Sequence, residues 1–513
     1  MKRGLLIAIV FAALAGRTSL EAGSDPFEDG PYLLGVAMQV AWDMREGWLG
    51  PALQNLASVV APQPAGAYAL PTLLYSILGP SPVVPLLASW ITLLAIFEAI
   101  HRLIRHTWPE ERRWWWSVVT WGALAGSAMV VQNTEQHAVD LTLAALFVQG
   151  VSWLSASGGL TRRRESVIAG VFFGLTLLVK YSAPVMLLPI FALVVVQAIR
   201  ARLPGHLVDL VGLTIGIAAP LYLWNRPWIV DYLGGSLPPG AEAGFPGLDR
   251  WLFYPAVIVE AVGWPGVIGG VIGLVLAWRG GARGGRELML VGGFGGLALL
   301  ALLELRHPAD PLIPTVARPE YALPCLFLLA ALCVPPLLKH VYARWAVIGL
   351  VALQAVCTLW AYSRERAGES LPKSVIASER LAEFHWPLPG PTSRPPGPLP
   401  NTELWEELTW NTASELPSGT LGVAFDDSHD SASAIGRLLY ESGRVHTRWD
   451  LAQIDHDRVV LLPFPSRAIP PVEPTYRHVL AITVRPPDLE GAWVEVGRWP
   501  VFQKRDAVLY EVR

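Results

Sequence analysis

Polar residues are sparse over the first 362 positions, and long apolar runs fill the gaps between them. A helix that spans a bilayer needs about 20 mostly apolar residues. Runs of that kind fall at 83–104, 114–131, 138–154, 166–179, 183–199, 207–224, 254–278, 288–303, 321–338 and 345–362. A shorter run at 5–15 follows Lys2-Arg3 and ends in Ala13-Leu14-Ala15. It reads either as a retained first span that lengthens through Thr18 to Leu20 or as a cleavable signal peptide. Both readings leave the next loop outside. The pattern predicts an α-helical polytopic membrane protein of about eleven spans. The count depends on dividing the apolar stretch 166–199 at Lys180-Tyr181-Ser182.

The charges set the orientation. Lys2-Arg3, Arg102, Arg105, Arg112-Arg113, Arg162 to Arg164, Arg200, Arg202, Arg279, Arg283, Arg286, Lys339 and Arg344 all fall at one set of ends. The alternate loops hold acids instead, including Asp25, Glu28, Asp29, Asp43, Glu46, Glu135, Asp231, Asp249 and Asp310. Short loops rich in Lys and Arg stay inside. This places the N-terminus inside, the first loop (21–81) outside and the tail outside.

The character changes after residue 362. A proline-dense stretch within 363–400, chiefly 386–400, suits a stiff extended linker. Beyond it, 419–425, 458–463, 478–484, 492–499 and 507–512 read as strands and 431–441 as a helix. Residues 401–513 are therefore expected to form a small extracytoplasmic α/β domain, distinct from the transmembrane domain 1–362.

Composition sharpens this picture. Only 16% of the 513 residues are charged and 52% are hydrophobic, whereas soluble domains carry about 25% charged residues. The net charge of −3 and the lack of a basic stripe give no reason to expect a nucleic-acid partner. Cys325, Cys333 and Cys357 all lie in apolar runs and read as small buried hydrophobes. The 22 tryptophans and 13 tyrosines suit a large membrane interface, as at Trp114-Trp115-Trp116 beside Arg112-Arg113. The inner run Gly280-Gly281-Ala282-Arg283-Gly284-Gly285 lacks a preceding strand and reads as a flexible basic loop. Asp426-Asp427-Ser428-His429-Asp430, between a strand and a helix, reads as an N-cap.

The chemistry is expected in the outer loops. Group transfer at such a face needs a base for the incoming group's proton and cations beside a leaving anion. Glu28 and Asp29 are the base candidates, close to Asp25 and just before Tyr32. Glu135, His137 and Asp140 form a second acidic patch at the outer ends of the third and fourth spans. Lys180, Arg226, Arg250, Arg306 and Arg318 are the outward cations. Ionisable groups at or inside a span, here Asp140, Glu260 and Glu304, are costly to place and so point to function. Lys180 reads two ways: as a snorkelling side chain, or as an ammonium presented to a lipid phosphate.

Three segments carry a family resemblance. Glu28-Asp29-Gly30-Pro31-Tyr32, with Gln63-Pro64-Ala65-Gly66-Ala67-Tyr68 and Leu78-Gly79 after it, resembles the first outer loop of the GT-C glycosyltransferases. More narrowly it looks like the protein O-mannosyltransferase and aminoarabinose transferase group, family 39-like. The stretch from Ala169 to Pro184, with Gly170, Gly174 and Lys180-Tyr181-Ser182-Ala183-Pro184, is similar to that group's glycine-rich span ending in a Lys. Arg318-Pro319-Glu320-Tyr321-Ala322-Leu323-Pro324 resembles its Arg-Tyr-x-x-Pro start to a late span. The likeness runs in order through residues 1–362. The acidic pair is reversed, Gln63 stands where a basic residue or His is usual, and Pro31 and Ala65 break neighbouring matches.

The resemblance implies a transferase that uses a polyprenyl-phosphate-linked sugar donor and an extracytoplasmic acceptor. Glu28 or Asp29 would be the base, and Glu135 or Asp140 the second acid. Asp140 would be the ligand if a divalent cation (Mg or Mn) takes part, and Lys180 and Arg318 would face the donor phosphate. A bacterial inner membrane is the expected location, with membrane lipid as a further partner. The alternatives are a lipid-linked glycan polymerase or ligase, a catalytically inactive relative, and a transporter. A transporter would be expected to show Gly/Pro-broken spans in matching halves, and no such repeat is seen.

Overall fold

The structure is a computed structural model. It describes residues 29–45, 47, 64–79, 81, 83–109, 114–135, 139–224, 226, 248–280, 283–302 and 319–366. It also describes six strands between 419 and 512. The described residues fall into two compact units. One runs from Ser89 through the last helix. The other holds the first two helices, Val83–Ala88 and the strands.

Helices dominate up to residue 366. They are α1 (Asp29–Arg45), α2 (Gly66–Leu78), α3 (Val83–Thr107), α4 (Trp114–Ala125), α5 (Ala128–Glu135), α6 (Val139–Ala156) and α7 (Arg163–Leu177). After these come α8 (Ala183–Ala201), α9 (Pro204–Trp224), α10 (Leu248–Trp278), α11 (Arg283–Leu290) and α12 (Gly296–Leu302). A 3₁₀ turn (Pro319–Ala322) leads into α13 (Leu323–Leu338), and α14 (Val341–Arg366) follows. Among the described residues, six helices are long and apolar enough to cross a membrane by length and composition. The chain is a polytopic, α-helical membrane protein.

Each of the ten later apolar runs falls on helix, with local departures. The run at 114–131 divides into α4 and α5 at Gly126-Ser127. The run at 288–303 is interrupted by a π-helical turn, Val291–Gly295, between α11 and α12. The first run, 5–15, and with it the count of eleven, lies outside the described residues. The first outer loop is more structured than a loop: it contains α1, over the apolar stretch 32–42, and α2.

Burial orders the helices from centre to rim. In the apolar stretch of α6, 83% of residues are buried, against 17% for most of α9 and for Ala261–Trp278 of α10. The sequence of α6 explains this, since Asp140, Thr142, Gln149 and Ser152 need protein partners rather than lipid. Helices α9 and α10 instead expose Val208, Ile215, Leu223, Val271 and Val275. Small residues set the close contacts. Gly170 and Gly174, one turn apart on α7, face Leu210 and Ile217 of α9, and Thr214 Oγ1 donates to the Gly170 carbonyl at 3.2 Å. A Cβ at Gly150 of α6 would fall 2.4 Å from the Phe173 ring of α7. A Cβ at Gly273 of α10 would fall 2.1 Å from the Cys333 carbonyl of α13.

Helix α10 is kinked at Gly263, where φ is 67° and ψ is 167°, a conformation that favours glycine. Two residues on, Pro265 has no N–H to give the Ala261 carbonyl. Gln354 of α14 supplies the missing donor, its Nε2 lying 2.6 Å from that oxygen. Replacing Gln354 with leucine is expected to cost about 1–3 kcal/mol by orphaning a buried carbonyl. Unfolding of the detergent-solubilised variant against wild type would measure this.

In the other unit, α1 packs on α2, and Leu34, Val36, Ala37, Met38, Val40 and Ala41 of α1 and Tyr68, Leu74 and Tyr75 of α2 are buried. Arg45 Nε donates to the Ser76 carbonyl at 2.9 Å, tying the helix ends. The strands are β1 (Gly419–Phe425), β2 (Trp449–Asp455), β3 (Arg458–Leu461), β4 (His478–Thr483), β5 (Trp493–Pro500) and β6 (Asp506–Val512). They form one sheet in the order β3-β2-β1-β4-β6-β5. β1 pairs in parallel with β2 and β4, and the remaining pairs are antiparallel. The near-continuous apolar runs of β1 and β4 suit these central positions. The expected helix at 431–441 and the proline-rich linker lie outside the described residues.

Candidate functional site

Three elements meet at one end of the helical unit. The first is the N-terminal turn of α6, which carries Asp140. The second is the break between α7 and α8, which carries Lys180, Tyr181 and Ser182. The third is the 3₁₀ turn ahead of α13, which carries Tyr321. The sequence makes each local feature. α7 ends at Leu177, and Pro184 sits in the first turn of α8, where its missing N–H costs nothing. The intervening turn closes through Ala183 N to the Lys180 carbonyl, 3.1 Å. The tight Gly150–Phe173 contact holds α6 against α7.

Lys180 Nζ donates to both carboxylate oxygens of Asp140, at 2.7 Å each. Their side chains are only 7% and 6% exposed. The same ammonium lies 3.8 Å from the centroid of the Tyr321 ring. A desolvated cation is attracted both by an ionised carboxylate and by an aromatic face. The buried ion pair and the half-buried Tyr321 ring beside it therefore form a charge-balanced unit at a helix end. Its cost of burial is offset only while both charges are present. Beside it, the Ser182 hydroxyl is buried without a hydrogen-bond partner among the described residues. The Tyr181 ring sits edge-on to Tyr222 of α9, whose hydroxyl donates to the Leu177 carbonyl at 3.0 Å.

Below Tyr321, α13 runs along an apolar cavity of about 270 Å³ between α4, α10, α13 and α14. Leu326, Leu329 and Cys333 of α13 line it, with Gly266 and Gly270 beyond the α10 kink and Val351 of α14. Its size and lining suit a hydrocarbon chain.

The sequence separated Asp140 and Lys180 into an acidic patch and a phosphate-binding cation, and the structure joins them. Lys180 neither snorkels nor stands alone. Both Asp140 oxygens are occupied by the lysine, so a cation there would have to compete with Lys180. No group of three or more His, Cys, Asp or Glu that could hold a metal is present among the described residues. Glu28, His137 and Arg318 lie outside the described residues. Asp29 opens α1 and Glu135 closes α5, but neither side chain is described. Arg226 is exposed.

Sequence reasoning missed Tyr321 as a partner of Lys180, although it quoted the motif that carries the tyrosine. It also missed a second polar cluster, at the arginine-rich end of α6. There Arg102 of α3 donates through Nη1 to Gln149 Oε1 and Ser152 Oγ, at 2.8 Å each, and pairs with Glu98. Its guanidinium covers the Trp153 ring at 3.8 Å. In the sequence Arg102 is one more orienting charge. Here it bolts α3 to α6.

No family model matches the chain, and no curated protein matches it. Solved structures do. The crystal structure of ArnT from Cupriavidus metallidurans bound to undecaprenyl phosphate aligns with a TM-score of 0.62 at 14% identity, covering 98% of each chain. The same protein in the apo state aligns with a TM-score of 0.60 at 14% identity, covering 98% of this chain and 97% of that one. At that identity the likeness establishes a shared fold along nearly the whole chain.

Proposed function

We propose that the chain is a membrane glycosyltransferase. It moves a sugar from a polyprenyl-phosphate-linked donor to an acceptor outside the cytoplasm, whether lipid, glycan or protein. The observation that carries this reading is the buried Asp140–Lys180 pair, with Tyr321 against it, at the end of the helical bundle. A buried ion pair adds little net stability and marks a functional site when it lies within a membrane. It lies within a fold shared with a protein crystallised with undecaprenyl phosphate.

In this reading the acceptor's hydroxyl or amine loses its proton to Glu28 or Asp29 as it attacks the anomeric carbon. The bond from that carbon to the phosphate oxygen breaks with inversion, and polyprenyl phosphate leaves with an added negative charge. Lys180 and Arg318 offset that charge. Asp140 holds Lys180 in place, and the Ser182 hydroxyl offers one more donor. Arg318 stands three residues before Tyr321, a separation that limits the backbone between them to about 11 Å. The polyprenyl chain lies in the apolar cavity beneath Tyr321. Glu135 and His137 belong to the same outer surface, and a Mg or Mn ion, if one is used, would be drawn to that patch. The arginine-rich ends face the cytoplasm, so the strands lie outside it, at a bacterial inner membrane.

Binding tests this directly. Polyprenyl phosphate is expected to raise the unfolding midpoint of the full chain in detergent, by about 2.7 kcal/mol of stabilisation at a hundredfold excess over Kd. Polyprenol, which lacks the phosphate, should do much less. The doubly apolar variant Asp140→Leu/Lys180→Met should lose the difference. Equal stabilisation by polyprenol would mean that the phosphate is not recognised.

A further inference from the structure

Helices α10 and α11 end and begin close together on the arginine-rich face, at a corner the proposed reaction leaves unused. A cavity of about 300 Å³ lies in that corner. Arg283, Arg286, Glu287 and Trp278 line its polar side, and Leu274, Leu290 and Leu332 its apolar side.

Arg286 is held unusually. Its Nη1 donates to the carbonyls of Ala277 and Trp278, at 2.6 and 2.7 Å. These are the last residues of α10, whose carbonyls lack an amide donor inside the helix; the Ala277 carbonyl also accepts from Gly280 N at 3.3 Å. The guanidinium thus rests on neutral acceptors, and its Nε is buried with no hydrogen-bond partner among the described residues. Arg283, Arg163, Arg102 and Lys180 each pair with a carboxylate. Arg286 has no such pair among the described residues. Arg283 and Glu287 cancel across the rim at 2.6 Å, leaving one uncompensated positive charge at the cavity. Below it, α10 exposes Val271, Ile272 and Val275, and Trp278 is 76% exposed at the corner. An exposed tryptophan above an apolar face is the arrangement of a membrane interface.

We propose that this corner binds the headgroup of an anionic glycerophospholipid. Its phosphate lies against Arg286, its glycerol region sits under Trp278, and its acyl chains follow the exposed face of α10. The arginine-rich face is the cytoplasmic one by the charge rule, and anionic lipids are concentrated in that leaflet. The site is separate from the Asp140–Lys180 end and does not depend on the proposed reaction.

Native mass spectrometry of the full chain from neutral detergent tests it, with phosphatidylglycerol and phosphatidylcholine of matched chains as probes. Wild type should retain phosphatidylglycerol at least about tenfold better, the value of one charge-assisted contact. Arg286→Gln should remove that preference. Leu290→Trp fills the cavity while sparing the carbonyl bonds, and it should do the same, so it decides the matter if Arg286→Gln fails to fold. Arg163→Gln, which removes an equal charge elsewhere on this face, should keep it. Equal retention of phosphatidylcholine, or a preference that survives Leu290→Trp, would overturn the proposal. Displacement of the lipid by millimolar inorganic phosphate would also overturn it, by showing a site for soluble anions.

Discussion

Lys180→Met is expected to destabilise the protein by about 3–5 kcal/mol, because it leaves the Asp140 carboxylate buried without its counter-charge. The carboxylate loses both 2.7 Å bonds, and Tyr321 loses the cation over its ring. Asp140→Leu should cost a similar amount by stranding the ammonium. The double variant Asp140→Leu/Lys180→Met should recover most of the loss, since replacing a buried ion pair with apolar groups is often neutral. Transfer should be absent in all three. Unfolding and transfer measured on the same preparations separate the two roles. A merely structural pair would regain activity along with stability in the double variant. A single variant as stable as wild type would mean that the pair is not buried.

The second large effect is expected in the first outer segment. If Glu28 or Asp29 takes the acceptor's proton, Glu28→Gln or Asp29→Asn should lower kcat by about 10²–10⁴. Binding of polyprenyl phosphate should be unchanged in the same variant. Stability should change little. Asp29 is the first residue of α1, where a carboxylate's interaction with the helix dipole is worth about 0.3–1 kcal/mol. A kinetic loss far beyond that stability change would identify the base. Normal transfer in both variants would remove these carboxylates from the chemistry.

The helices were legible because the bilayer imposes a length and a composition, and 83–104 or 183–199 satisfy both without help from neighbours. What interrupts a helix was less visible. Helix α2 contains Pro71 and follows proline-rich sequence, so its pattern reads as loop. The break at Gly126-Ser127 and the π turn at Val291–Gly295 reflect packing rather than periodicity. At the π turn, Gly292, Gly293 and Gly296 meet Ile190, Leu328, Leu329 and Cys325 closely. The same contrast holds among the strands. β1 is apolar from Leu421 to Phe425 and β4 from Val479 to Ile482, but β2 loses alternation at Ala452, so its pattern does not read as a strand.

At the site, residue types were readable and pairing was not. An ionisable group in an apolar run announces itself, which is why Asp140 and Lys180 were both singled out. Their contact joins positions 40 residues apart, one in the first turn of α6 and the other in the break after α7. It depends on how α6 and α7 rotate against each other, which the Gly150–Phe173 contact sets. Tyr321 enters through a third element. Gln354 and Arg286 show the same limit, because each answers a carbonyl whose need for a partner arises only in the folded chain.

The central claim is tested most directly by transfer itself. Membranes holding wild type or the Asp140→Leu/Lys180→Met variant would be supplied with a labelled pool of polyprenyl-phosphate-linked sugars. Label leaving the lipid would then be followed into other lipid, glycan and protein fractions. The account predicts transfer by wild type and none by the equally abundant double variant. Label that moves equally in both would contradict it.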